Sequence, residues 1–136
     1  MRKSASIILG LGAAALIGGL GAAPSHAAGG VAPSDKICND KANPPADAVI
    51  QGGCAVIDRR RGNCMSCHMI PGVDGPGNLA PPLVSMKQRF PDRAKLRTQI
   101  WDATALNKNS VMPPFGRHRI LTEDEIDKVV DFLLTL

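Results

Sequence analysis

Five consecutive residues, Cys64-Met65-Ser66-Cys67-His68, carry the strongest chemistry in the sequence. Two cysteines three positions apart reach, from one turn of chain, the two vinyl groups of a porphyrin, and the adjacent imidazole then lies under the iron as its fifth ligand. The pattern predicts one covalently attached haem c, anchored by Cys64 and Cys67, with His68 on the iron. Two other chemistries use similar residues. A zinc knuckle needs a second ligand pair, and Cys38, Cys54, His26 and His118 make no paired spacing. A thioredoxin-type redox pair wants a preceding strand in a βαβ context, whereas a helical segment precedes this motif and a histidine follows it directly.

A sixth iron ligand must arrive from the opposite face. Met65 and Met69 flank the motif and stay on the near side, which leaves Met86, Met112 and His118. Met112 lies on a loop stiffened by Pro113-Pro114 just before the last helix, and its neutral, soft thioether raises a reduction potential. Met86 reads as core filling, and His118, between Arg117 and Arg119, as a solvated loop residue, so Met112 is preferred. A ligating histidine donates its other ring N–H to an acceptor that fixes its tautomer. Pro81 and Pro76 offer carbonyls in the loop after the motif, and Pro81, farther along, is the better placed. Cys38 and Cys54 remain, an even pair in an oxidising compartment. A bridge between them closes a loop of about 16 residues and stabilises by roughly 3 kcal/mol in the chain-entropy model. The alternative is a buried thiol at Cys54 and a free one at Cys38.

These groups need elements to hold them. Asp47 caps a helix expected to run to about Arg60, on the spacing of Ile50, Gly53, Cys54 and Ile57, and Gly62-Asn63 stops it. Residues 71–82 hold Gly and Pro at almost every other position, which is loop chemistry, with a short helical turn around residues 84–89. Pro91-Asp92 opens a second helix with Leu96, Ile100 and Ala103 on one face, ending at Asn107-Lys108-Asn109. The last helix has the clearest signal. Thr122 and Glu125 form a capping box, and Ile126, Val129, Val130, Leu133 and Leu136 give one apolar stripe. No run alternates with period two, so the expectation is an all-α fold of three to four helices wrapped around the haem. Ahead of it, residues 28–45 read as an extended arm, with regular structure starting near Asp47 and the domain spanning 46–136.

Residues 1–27 read as an export signal: Arg2 and Lys3, an apolar run from Ile7 to Leu20, and the small-x-small site Ser25-His26-Ala27. Cleavage there predicts a periplasmic chain without a membrane span, since the apolar run is short and glycine-rich. Without Arg2 and Lys3, 14 basic residues face 12 acidic ones. Three Phe and one Trp make no stacking platform, and nothing else in the pattern calls for nucleic acid. So few aromatics also leave a small domain short of core, a shortage that a large apolar cofactor relieves.

The segments Arg59-Arg60-Arg61-Gly62-Asn63-Cys64 to His68, Gly77-Asn78-Leu79-Ala80-Pro81-Pro82-Leu83, Pro91-Asp92-Arg93 through Trp101-Asp102-Ala103-Thr104, Asn109 to Gly116 and Leu121-Thr122 to Leu136 follow one another in an order that resembles the SoxX subunit family of bacterial sulfur oxidation. The likeness covers roughly residues 47 to 136, and its most selective part is Met112-Pro113-Pro114-Phe115-Gly116. It implies a class I cytochrome c fold, with the first and last helices crossing beside the haem, and Cys64, Cys67, His68 and Met112 as haem residues. Members pair with a larger cytochrome, SoxA, as a heterodimer that joins thiosulfate to a cysteine of the carrier SoxYZ, an L-cysteine S-thiosulfotransferase activity. The chemistry then belongs to SoxA, while the SoxX-like chain passes the released electrons to a soluble cytochrome. Two readings compete with it: a free-standing cytochrome that shuttles electrons to a terminal oxidase, and a haem enzyme or gas sensor with an open sixth position. The basic runs Arg59 to Arg61 and Lys87 to Arg97 fit a docking subunit, although charge runs are usually solvated faces.

Overall fold

The computed structural model describes residues 30–136, so the expected export signal and His26 lie outside the described residues. Among the described residues five helices follow one another: α1 (Asp35–Cys38), α2 (Ala48–Ile57), α3 (Met86–Arg89), α4 (Arg93–Trp101) and α5 (Glu123–Leu133), with 3-10 turns at Cys64–Ser66 and Ala103–Ala105. Among the described residues the only strand-like pairing is an isolated bridge between His68 and Ala80.

The Asp47 side chain accepts from the Ile50 amide and starts α2 as expected. The helix stops at Ile57, earlier than the expected Arg60, because Asp58 turns extended and uses its carboxylate on the Arg60 amide. Regular structure also starts before Asp47. Ser34 caps the single turn α1, which carries Cys38 to Cys54 of α2, and the two form a disulfide with Cα atoms 5.4 Å apart. The arm is built into the domain: the Ala32 amide donates to the Pro71 carbonyl at 2.8 Å, and Ala32 and Pro33 are buried.

Helix α5 begins with the complete Thr122–Glu125 capping box, and Glu123, Asp124 and Glu125 set negative charge against its N-terminal dipole. It buries Ile126, Val129, Val130 and Leu133, and also Phe132, which the expected stripe omitted. Its main partner is α2. The two approach so closely that a Cβ on Gly52 would lie 2.0 Å from the Lys128 carbonyl oxygen, and one on Gly53 would meet the Pro33 ring and Phe132. Glycine costs a helix roughly 1 kcal/mol relative to alanine, and here close packing returns that cost. Helix α4, capped by Asp92, lies on α5 through charge: Arg93 reaches Asp127 and Asp131, and Arg97 reaches Asp127 and Glu123. Two members of the expected basic docking run are therefore committed inside the chain. Arg61 is likewise paired, with Asp58 and Glu125. Among the described residues no helix is long and apolar enough to cross a membrane.

Candidate haem site

Asn63, in the left-handed region at φ 46°, turns the chain out of α2 and into the 3-10 turn Cys64–Ser66. The Ser66 hydroxyl donates to the Asn63 carbonyl, and the His68 amide donates to the Cys64 carbonyl at 2.9 Å, so the motif is one compact coil with both cysteines free. The following loop runs beside it. Gly77 donates to the Met65 carbonyl, Ala80 to Cys67 and Leu83 to Met69, at 2.8 to 2.9 Å. Gly77 permits that approach, since a Cβ there would meet the Ser66 carbonyl oxygen at 2.0 Å.

This register brings the Pro81 carbonyl 2.7 Å from Nδ1 of His68. Proline offers only an acceptor, so Nδ1 carries the proton and Nε2 keeps its lone pair. Of the two candidate carbonyls, Pro81 makes this bond. Burial pushes the Cys64 thiol up to about 12, opposite to the lowered value of a reactive redox pair. With Cys38 and Cys54 joined to each other, neither is free to complete a zinc set.

Cys64, Cys67, His68 and Pro81 line a cavity of about 550 Å³, and Met112 lines it too. Of the three candidates for the far side, Met112 is the one on this cavity. Met86 is buried in the core, with its sulfur near Arg89, and His118 is exposed in a turn with its amide on the Pro114 carbonyl. The Met112 loop is held at both ends. Its amide donates to the Ser110 hydroxyl, and the amides of Gly116 and Arg117 both donate to the Trp101 carbonyl. Asp102, only 6% exposed, accepts from the Thr104 hydroxyl and pairs with Arg117 at 2.9 Å. Hydrogen bonds from the Thr104 hydroxyl and amide, and then the Arg117 charge, hold its carboxyl below the usual range despite the opposing effect of burial. Trp101 in turn donates from its indole to Glu123.

Sequence reasoning missed Gln99. It lines the same cavity, and its amide Nε2 lies 3.7 Å from the Met112 sulfur. The signal was present, although α4 ends at Trp101 and not at the expected Asn107-Lys108-Asn109, because Asp102 turns extended and leaves Ala103 in the next 3-10 turn: Leu96, Gln99 and Ile100 share one face of α4, and Gln99 is its polar residue.

The cavity wall holds no carboxylate, its charges are Arg59 to Arg61, and Leu79 and Val111 stand at it 78% and 89% exposed. Two thiols, an imidazole with a free Nε2 and a thioether around a largely uncharged cleft fit a flat apolar metal macrocycle. The structure therefore suits a haem c, with Cys64 and Cys67 as candidate anchors and His68 and Met112 as candidate axial donors.

Comparison with known proteins agrees. The family described as cytochrome c oxidase, cbb3-type, subunit III matches residues 48–133. A solved structure titled "Crystal structure of SoxXA from P. pantotrophus" is 29% identical, with a TM-score of 0.56 over 62% of this chain and 77% of that one. A comparison with curated proteins finds no match. The helical architecture is that of a class I cytochrome c, and haem c is the cofactor the family implies. By the span and kind of these matches, the chain belongs to the cytochrome c family described as cbb3-type oxidase subunit III and is SoxX-like within it.

Proposed function

We propose that the chain is a periplasmic monohaem electron-transfer subunit that pairs with a SoxA-like cytochrome, with residues 1–27 as its cleaved signal, 28–45 as an arm and 46–136 as the cytochrome domain. The observation that carries this reading is the single cavity lined by Cys64, Cys67, His68 and Met112, with His68 already oriented by Pro81. The likeness to SoxXA supports the choice of partner.

Cys64 and Cys67 would hold the haem through thioethers, and His68 Nε2 and the Met112 thioether would ligate its iron. The haem, when bound, supplies a one-electron couple. Joining thiosulfate to a cysteine of a SoxYZ-like carrier forms one S–S bond and releases two electrons and a proton. With His68 and Met112 both committed to the cofactor, the chain's part would be to accept those electrons singly and pass them to a soluble cytochrome. The rest of the chain keeps the ligands in place. The Pro81 carbonyl fixes the imidazole plane and tautomer, and the Trp101–Asp102 corner holds the loop that presents Met112.

Denatured protein should retain the mass of one haem and give a c-type pyridine haemochrome. Mixed with a SoxA-like cytochrome and SoxYZ, the chain should be reduced when thiosulfate is supplied; alone, it should leave thiosulfate unchanged. Equal reduction without the partner would overturn the subunit reading. The family's description names an oxidase, which points to a terminal oxidase as the acceptor in a second reading, a free-standing cytochrome, and that result would favour it.

A further inference from the structure

Helix α4 presents Leu96 and Ile100 to the core, and between them on the same face Gln99 turns a polar amide into the haem cavity. A carboxamide beside a largely apolar cofactor cleft needs a partner, because an unpaired polar group costs about 1–3 kcal/mol when desolvated. The partner is specific. Gln99 Nε2 lies 3.7 Å from Met112 Sδ. A thioether sulfur only accepts, so the amide N–H donates to it. Sulfur has two lone pairs, and one can take this hydrogen bond while the other remains for the iron.

We propose that Gln99 is a positioning residue that orients the Met112 thioether and tunes its donor strength through this N–H···S hydrogen bond. The inference rests on Met112 as the sixth ligand. The bond does two things. It restrains the Met112 side chain, whose three rotatable bonds otherwise leave the sulfur free to wander. It also draws electron density from sulfur, which weakens donation to ferric iron more than to ferrous iron and so favours the reduced state. Gln99 thus sets how readily the site gives up an electron without itself touching the iron.

The test uses the haem-loaded full-length protein with Gln99→Leu and Gln99→Met, which remove the donor while leaving two different apolar shapes. Both should lower the ferrous-to-ferric ratio at a fixed ambient potential by about threefold, the scale of a weak hydrogen bond, or about 30 mV at about 59 mV per tenfold for one electron. The methionine-to-iron charge-transfer band of the ferric protein should shift in both variants but persist. If one variant fails to fold, the other still reads the effect. Midpoints equal to wild type in a folded variant overturn the proposal, as does a change in Leu with none in Met, which would signal packing alone. The ligand reading is checked separately: a wild-type ferric spectrum without that band, or one whose band survives Met112→Ala, removes Met112 as ligand whatever Gln99 does.

Discussion

Replacing Gly52 by Ala sets local preference against packing with opposite signs. In an isolated helix the change should stabilise by about 1 kcal/mol, because alanine loses less backbone entropy. In this fold the new Cβ would lie 2.0 Å from the Lys128 carbonyl oxygen, 2.4 Å from its carbon and 2.9 Å from the Val129 nitrogen. All three are backbone atoms of α5, so no side chain can swing aside. Relief requires the helices to separate by more than an ångström along the contact that buries Val56, Val129 and Phe132. Overpacking of this kind costs typically 1–3 kcal/mol and occasionally more, and rigid backbone on both sides puts the site at the upper end. After the propensity gain, the net loss should be about 2 kcal/mol. Urea unfolding of the haem-loaded protein should show a lower midpoint, with a fall in Tm of about 8–16 °C for a domain of this size. Gly53→Ala is the control: its nearest atoms belong to the Pro33 ring of the arm and the Phe132 side chain, which can give, so its loss should be smaller. A Gly52→Ala variant as stable as wild type would refute the argument that α2–α5 contact dictates glycine here.

Met112→Ala should abolish the charge-transfer band of the ferric protein. Met86→Ala should keep it while losing about 2–5 kcal/mol of stability, since Met86 is a core residue, and His118→Ala should change neither. Paired replacement of Cys38 and Cys54 by Ser should destabilise by about 3 kcal/mol in the chain-entropy model, with proteolysis in the arm appearing first. The carboxyls of Glu123 and Asp127 are held below their ordinary values, chiefly by hydrogen bonds from Arg97. A lowered folded value means that their stabilisation is complete above the unfolded carboxylate range and is lost as pH falls through the folded values. Denaturation midpoints should therefore be level near neutrality and drop below about pH 4, and Arg97→Gln should flatten that drop.

The parts legible in the sequence are those set by a few neighbouring residues. The Asp47 cap, the Thr122–Glu125 box and the choice of Pro81 each depend on one side chain or one carbonyl at a known offset. What escaped depends on groups far apart in the chain. Arg93 and Arg97 read as a docking run because their acids lie some thirty positions on, in α5. Phe132 fell off the expected stripe because the bare Gly53 of α2 leaves room for its ring against that helix. The early end of α2 turned on Asp58, whose carboxylate competes for the very amides that would have continued the helix. Gln99 was silent because its partner is a sulfur on a distant loop.

The loop from Gly77 to Leu83 is joined to the haem motif through main-chain amides at every third position, so the union is indifferent to most side chains and strict about count. Leu79, 78% exposed at the cavity, takes no part in that union through its side chain. One residue inserted between Gly77 and Pro81 is a different matter. It would carry the Pro81 carbonyl a step past His68, so that the Gly77 and Leu83 amides could no longer both hold Met65 and Met69 while Pro81 faces the ring. This stretch should therefore tolerate varied spelling and reject any change of length, the reverse of what surface loops usually allow.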